Sequence, residues 1–83
     1  MKVLYFAWLR SGIGVAEEHV EPPPEVRDVA GLLKWLQGRG PAYAKTLGHP
    51  GVIRIAVNQS HARPDHPVAP SDEIALFPPV TGG

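Results

Sequence analysis

The spacing of apolar residues along the chain predicts short strands interrupted by one amphipathic helix. Residues 2–7 are apolar at nearly every position, which is typical of a strand covered on at least one face. Residues 15–21 read as a second strand that ends at three consecutive prolines, and residues 11–14 form a glycine-containing loop between the two. The chain is therefore predicted to begin with a β-hairpin.

A helix is predicted soon after the prolines. Its apolar residues recur at intervals of three and four positions: Val29, Leu32, Leu33 and Leu36. Asp28 precedes this stripe as a candidate N-cap, because its carboxylate can accept hydrogen bonds from the free N–H groups of the first turn. We expect the helix to end near Gly38 or Gly40. Gly31 inside it is expected to allow close packing against a strand.

The second half of the chain predicts a short helix and three strands. Pro41 suits a first-turn position and begins a short helix over residues 41–47. Strands follow over residues 52–57, 61–63 and 73–77, separated by turns rich in Pro, Asp and Asn. This order predicts an α+β fold of the β-grasp type, in which a mixed sheet of about five strands carries one main helix across one face and a short second helix.

Alternation along these strands leaves one face of the sheet without a predicted helix to cover it. The apolar side chains expected there are Leu4, Phe6, Ala56 and Phe77. Charged side chains are expected at the margins of this face: Lys2, Arg54 and Glu73. An apolar patch ringed by charge on a small domain is typical of a protein interaction surface.

The last strand runs into a tail that differs in composition from the rest. We expect residues 1–77 to form the β-grasp domain and residues 78–83 to form an extended tail, because two consecutive prolines end the strand and favour an extended chain. Six extended residues would carry the terminal carboxylate about 20 Å from Phe77. Gly82 and Gly83 lack a Cβ, so the end of the tail could pass through a narrow channel in another protein.

Composition excludes several kinds of site. The chain of 83 residues has no cysteine, which rules out disulfides, thiolate metal ligands and a cysteine nucleophile. Eight basic residues balance eight acidic ones without a basic run, which argues against a nucleic-acid ligand. The apolar run over residues 3–9 is too short for a membrane or secretory segment, so we expect a cytoplasmic protein that does not associate with a membrane.

The side chains do not form a recognisable catalytic motif. The four histidines lack the spacing that places two imidazoles on one metal, and the serines lack a Gly-x-Ser-x-Gly elbow. The reactive group is then expected to be the main-chain carboxylate at Gly83. A carboxylate is a poor electrophile and needs activation, for example by ATP-dependent adenylation, after which a persulfide could convert it to a thiocarboxylate.

Several segments together resemble the small subunit of molybdopterin synthase, the MoaD family. They are the opening Val3-Leu4-Tyr5-Phe6-Ala7 followed by Arg10, the Val57-Asn58-Gln59 and Asp65-His66-Pro67 turns, and the tail Phe77-Pro78-Pro79-Val80-Thr81-Gly82-Gly83. The resemblance covers the whole chain. It implies a ubiquitin-like sulfur carrier that binds no cofactor itself. It also implies two partners: an adenylating, E1-like enzyme that uses ATP, and the large synthase subunit, where sulfur passes to precursor Z (cyclic pyranopterin monophosphate).

The resemblance also implies roles for individual residues. Gly83 would hold the adenylate and then the sulfur, and Gly82 would be the thin neck behind it. Pro78, Pro79, Val80 and Thr81 would line the insertion path. The partner-binding residues on the domain would be Leu4, Phe6, Arg10, Arg54, Ala75 and Phe77. At His61 the family pattern would place an apolar residue, so this chain departs from it there.

Other functions stay open on the sequence alone. A carrier for thiamine thiazole synthesis or tRNA thiolation would share the fold and the Gly-Gly end. A ubiquitin-like modifier would instead join its terminus to lysines of target proteins. A structural adaptor would bind through the open sheet face and would not need the two glycines.

Overall fold

Five strands form one mixed sheet in the computed structural model, which describes residues 1–79. In chain order they are β1 (Lys2–Tyr5), β2 (Glu17–His19), β3 (Arg54–Val57), β4 (Ser60–His61) and β5 (Glu73–Phe77). Their order across the sheet is β2-β1-β5-β3-β4, with β1 and β5 parallel and the other neighbours antiparallel. The predicted five-stranded mixed sheet is confirmed, and its central strand is the one that leads into the tail.

The main helix covers one face of this sheet, as predicted. Helix α2 (Val29–Gln37) buries its apolar stripe, and a shorter helix, α3 (Pro41–Thr46), follows it. The stripe packs into one core with buried strand residues, among them Val3, Tyr5, Ile55, Ile74 and Leu76. Burial of about 25 cal/mol per Å² of apolar surface makes this layer the main source of stability in a chain without disulfides.

Three backbone N–H groups at the start of α2 have acceptors. The Asp28 carboxylate accepts from Gly31 N–H at 2.7 Å, so the predicted N-cap is confirmed. The carbonyls of His66 and Pro64 accept from the N–H groups of the helix's first two residues at 3.0 and 2.9 Å. The expectation that Gly31 packs against a strand is wrong: a Cβ there would lie 3.1 Å from the Asp28 carboxylate, so Gly31 makes room for the cap.

A third α-helix, absent from the sequence prediction, follows β1. The strand ends at Tyr5 and helix α1 (Ala7–Ile13) begins two residues later, so the predicted loop over residues 11–14 is largely helical. Leu9 is fully buried in the core, which anchors α1 to the domain. At Gly12 the backbone approaches Thr46 of α3 so closely that a Cβ would overlap its side chain.

The turn between β3 and β4 is tied to the start of β5. Asn58 and Gln59 have φ angles of 51° and 71°, which are typical of a two-residue hairpin turn. The Asn58 side-chain carbonyl accepts from Glu73 N–H at 3.0 Å, and its amide donates to the Asp72 carboxylate at 3.0 Å. This part of the chain differs from the prediction in two details: β4 is Ser60–His61 instead of 61–63, and β3 begins at Arg54 instead of residue 52, because a 3₁₀ turn (Pro50–Val52) precedes it.

Among residues 1–79, no helix is both long enough and apolar enough to cross a membrane.

Candidate functional site

Several of the predicted docking residues form a row across the sheet on the face opposite α2. Leu4 of β1 lies opposite Ala75 of β5, and Ala75 lies opposite Ala56 of β3. The row continues from Ala56 to His61 of β4. Leu4 and Ala75 are half-buried and His61 is exposed, but Ala56 is buried, so three of the four positions in the row are accessible to a partner. The strand pairing thus brings together residues from four separate parts of the chain.

Phe77 lies next to this row, at the end of β5. It pairs with Arg54 of β3, whose side chain is exposed. The His61 ring contacts Phe77 edge to face, with the centroids 5.6 Å apart. A T-shaped arrangement is a favourable geometry for two aromatic rings. His61 therefore supplies a ring that packs on Phe77 at the position where the family resemblance implies an apolar residue.

Phe6 lies on the other side of the β5 end. Its N–H donates to the Leu76 carbonyl at 3.1 Å, which continues the β1–β5 ladder by one bond. The Phe6 side chain is 48% exposed, although it is large and apolar. Phe6 and Phe77 therefore both lie at the point where the chain leaves the sheet, as expected of anchors for a partner that takes up the tail.

The remaining predicted residues divide into three groups. Arg10 is exposed but belongs to the last turn of α1, so it lies beyond the sheet row. Pro78 and Pro79 are half-buried directly after β5. The predictions for Val80, Thr81, Gly82 and Gly83 concern positions outside the described residues 1–79.

One cluster of ionisable groups lies on the opposite side of the sheet from the docking row. The Glu18 carboxylate accepts hydrogen bonds from Tyr5 Oη at 2.7 Å, from Tyr43 Oη at 2.8 Å and from Arg39 Nη1 at 2.8 Å. The Arg39 guanidinium also stacks on the rings of Trp35 and Tyr43, at 5.4 and 5.0 Å from their centroids. The cluster connects β1 and β2 to the helices.

The contacts within this cluster determine the pKa values of Glu18 and Tyr5. Burial favours the neutral form of Glu18, but the hydrogen bonds from Tyr5, Arg39 and Tyr43 outweigh burial and lower the pKa of this carboxylate. Burial and the hydrogen bond to Glu18 raise the pKa of the Tyr5 hydroxyl. A carboxylate that is kept ionised by three donors is suited to holding structure together, and it is poorly suited to exchanging protons with a substrate.

The described residues do not contain a metal centre either. Within residues 1–79, no group of three or more His, Asp or Glu side chains is close enough to hold a metal ion. What the described region offers is a row of mostly accessible residues beside the end of β5.

Two exposed residues near the tail root were missed by the sequence prediction. Trp8 of α1 is 45% exposed, and Val52 of the 3₁₀ turn is 48% exposed. In the sequence each belongs to an apolar run that predicts burial, so nothing in the pattern marks either side chain as exposed. Exposure here depends on the local course of the backbone: Trp8 lies in α1, where the apolar run of β1 continues into a helix, and Val52 lies in the 3₁₀ turn, where a strand was predicted.

Comparison with known proteins identifies relatives of the whole chain. The model of the ThiS family matches residues 3–83. The molybdopterin synthase sulfur carrier subunit of Escherichia coli (strain K12) is 36% identical over 83 residues, which is 100% of this chain and 99% of the relative.

Solved structures give the same fold. SAMP1 (small archaeal modifier protein 1) of Haloferax volcanii superposes with a TM-score of 0.77 at 32% identity, covering 100% of this chain and 98% of that one. A chain from the protein–protein complex of subunits 1 and 2 of the molybdopterin-converting factor of Helicobacter pylori 26695 superposes with a TM-score of 0.63 at 26% identity. That match covers 99% of this chain and 96% of the other.

Proposed function

This chain belongs to the ThiS family, and we propose that it is a sulfur carrier that acts as the small subunit of molybdopterin synthase. The full-length similarity to a sulfur carrier subunit of that synthase supports the assignment. The structural observation that carries it is the central position of β5. It supports the proposal because the end of β5 lies beside a row of mostly accessible residues that a partner could contact while it takes up the tail.

The reacting group would be the carboxylate of Gly83. A partner adenylating enzyme would use ATP to form an acyl adenylate there and release pyrophosphate. A persulfide sulfur would then displace AMP, and cleavage of the resulting acyl disulfide by a second thiol would leave the thiocarboxylate. The chain binds no cofactor of its own in this scheme. Its lack of cysteine fits the scheme, because the sulfur is held on the main chain.

The large synthase subunit would then receive the charged tail. Its active site would bind precursor Z, the cyclic pyranopterin monophosphate, and the thiocarboxylate would transfer its sulfur to that substrate. A dithiolene contains two sulfur atoms, so each product would require two charged carriers. The described part of this chain contributes a docking face, so catalytic side chains would come from the large subunit. We place this cycle in the cytoplasm.

A protein modifier is the second candidate, because of the structural likeness to SAMP1. The same adenylated terminus would then be joined to a lysine of a target protein, and isopeptide-linked species of higher mass would accumulate in cells. Carriers for thiamine thiazole synthesis or tRNA thiolation would share the adenylation step and differ only in the acceptor of the sulfur.

Intact-mass spectrometry tests the central step. Protein purified from its own host should include a species heavier than the unmodified chain by the difference between one sulfur and one oxygen atom. Deletion of Gly83 should abolish both this species and sulfur transfer to precursor Z, while the affinity for the large subunit is retained.

Two results would count against the proposal. Undiminished sulfur transfer after deletion of Gly83 would exclude the terminus as the sulfur site. Isopeptide-linked products without any thiocarboxylate would favour the modifier instead.

A further inference from the structure

The large apolar side chains that remain exposed are gathered at one end of the molecule. Among residues 1–79, the exposed large hydrophobic residues are Phe6, Trp8, Val15 and Val52, each between 43% and 48% exposed. Single exposed apolar residues are common on proteins and need no explanation. A cluster of exposed apolar residues does need an explanation, because contiguous apolar surface is characteristic of interaction sites.

The place at which they gather is the root of the tail. Phe6 is hydrogen-bonded to Leu76 at the end of β5. Val15 directly precedes Ala16, whose carbonyl accepts from Tyr5 N–H at 2.8 Å. Val52 lies just before β3, whose first residue pairs with Phe77. A protein that encloses the tail must approach this end of the sheet.

Trp8 and Val52 also line a cleft on the helical side of the tail root. The cleft lies between α1, α3 and the 3₁₀ turn, and its volume is about 460 Å³. Ala42 and Thr46 form part of its wall, and Lys45 and His49 supply its basic groups. None of the described residues that line it is acidic, so a partner segment with a carboxylate would meet complementary charge.

We propose that this cleft, here called the Trp8 cleft, binds a segment of the large synthase subunit that presents an apolar side chain and a carboxylate. The inference rests on the proposed function, since it assigns a second contact to the partner that takes up the tail. The apolar side chain would pack on Trp8 and Val52, and the carboxylate would pair with Lys45. Tryptophan is among the residues that most often dominate binding energy at interfaces.

Contacts on both sides of the root would fix the direction of the tail. The sheet row that contains Leu4 and Ala75 lies on one side of β5, and the Trp8 cleft lies on the helical side. If the partner contacted only the sheet face, the bound domain could still rotate about that single contact. A second contact, on the other side of the strand, would hold the six-residue tail in line with a channel about 20 Å deep.

Affinity for the purified large subunit tests the proposal. We expect Trp8→Ala to weaken binding by about tenfold or more in isothermal titration calorimetry, in the range of an interface anchor. Lys45→Glu should weaken it as well, and more strongly at low salt. Arg63→Glu is the matched control, because Arg63 is 89% exposed and lies outside the cleft lining. Unchanged affinity in both cleft variants would overturn the proposal.

Fluorescence provides a second readout that does not depend on truncating a side chain to alanine. The chain has two tryptophans, and burial of Trp8 in the complex should shift emission to shorter wavelength. The shift should be absent in Trp8→Phe, which retains Trp35. A shift of the same size in Trp8→Phe would show that Trp8 stays exposed and would contradict the proposal.

These results are distinguishable from failure of the proposed function. Thiocarboxylated Trp8→Ala should still transfer sulfur once the large subunit is saturating, because Gly83 is intact, whereas deletion of Gly83 should abolish transfer at any concentration. If the variant bound the large subunit normally but was adenylated slowly, the cleft would belong to the adenylating enzyme and the present assignment would be wrong. Loss of function on deletion of Gly83 is independent of either outcome.

Discussion

Gly12 is the residue that allows α1 to pack against α3. A Cβ at this position would lie 2.8 Å from Thr46 Cγ2 and 3.0 Å from Thr46 Cβ, and it would overlap Oγ1. Threonine is branched at Cβ and cannot move all three atoms away by one rotation. We expect Gly12→Ala to lower the free energy of unfolding by about 1–3 kcal/mol, as overpacking does in well-packed sites, in urea denaturation.

The substitution Thr46→Ala tests whether contact with Thr46 causes the loss of stability in Gly12→Ala. It removes the two outer atoms of the contact, so the double variant Gly12→Ala/Thr46→Ala should recover part of the lost stability. Additive effects of the two substitutions would show that the loss comes from somewhere other than this contact.

Phe77 gives the most specific prediction about binding of the partner. It is half-buried at the tail root, with the His61 ring against one side. We expect Phe77→Ala to weaken binding of the large subunit by about 1–3 kcal/mol, measured as a dissociation constant, because a partner would complete the burial of the ring. An unchanged dissociation constant would refute its role as an anchor.

Val68→Ala is a suitable control for Phe77→Ala. Val68 is a half-buried apolar residue that packs against the core, and it lines a different cavity from the tail root. Its truncation should lower stability without changing affinity for the partner. Parallel changes in stability and affinity in both variants would indicate that the Phe77 effect is a folding effect.

At the scale of elements, the main helix was predictable and the first helix was not. Asp28 gives α2 a recognisable start, and its apolar stripe has the helical period. Helix α1 has neither signal: Phe6 makes no side-chain cap, the first turn contains no acidic residue, and its sequence continues the apolar run of β1. Ala7 even enters the helix with a φ of 54°, a strained value for alanine.

Tertiary packing therefore stabilises α1, and sequence patterns do not report such packing. Leu9 inserts into the core and Gly12 meets Thr46, but both contacts involve residues that are distant in sequence. The same limitation explains why Trp8 was missed as a site residue. Its position beside the tail root follows from α1 being a helix.

The Glu18 cluster connects elements in a way that depends on pH. Hydrogen bonds hold the pKa of folded Glu18 below its ordinary value of 4.5. The ionised form is therefore stabilised by folding, and this contribution is complete above the unfolded pKa and is lost as pH falls through the folded pKa. We expect the free energy of unfolding to decrease as pH drops below 4.5, the ordinary value, as measured by chemical denaturation at a series of pH values.

The Glu18→Gln variant separates the contribution of this carboxylate to acid sensitivity from the contributions of the other acidic groups. The amide cannot ionise, so the variant should be less stable at neutral pH by about 1–3 kcal/mol, the usual value of hydrogen bonds to a charged group. Its stability should then fall less steeply with acid than that of the wild type. Identical slopes in the two proteins would mean that other carboxylates account for the acid sensitivity.

At the scale of the whole molecule, the position of β5 decides where the chain leaves the sheet. β5 pairs with β1 on one side and β3 on the other: Phe77, the residue before the two prolines, pairs with Arg54 of β3, and the preceding Leu76 pairs with Tyr5 of β1 and accepts from Phe6 N–H. The parallel β1–β5 pair joins opposite ends of the chain, and no local pattern specifies such a pairing. The sequence predicted the strands and the tail, while the order of the strands in the sheet became known from the structure.

Because Phe77 is held in the sheet, we expect the rate of sulfur transfer to depend on the length of the tail. If the proposed docking is correct, the domain would not slide toward the partner's active site once bound, so the number of residues after Phe77 would set where the terminal group arrives. Deletion of Thr81 would shorten the extended tail by about 3.3–3.6 Å and leave the terminal Gly-Gly unchanged. An error of about 1 Å in the position of a reacting group can cost about 10²-fold in rate.

We therefore expect deletion of Thr81 to reduce single-turnover sulfur transfer by about 10²-fold or more, with little change in the dissociation constant for the large subunit. Thr81→Ala is the matched control, because it removes the same side chain but keeps the length, and it should transfer sulfur at close to the normal rate. Equal loss in both variants would assign the effect to the threonine side chain. Normal transfer by the deletion variant would show that the docked domain shifts to compensate, and the root would then not be rigid.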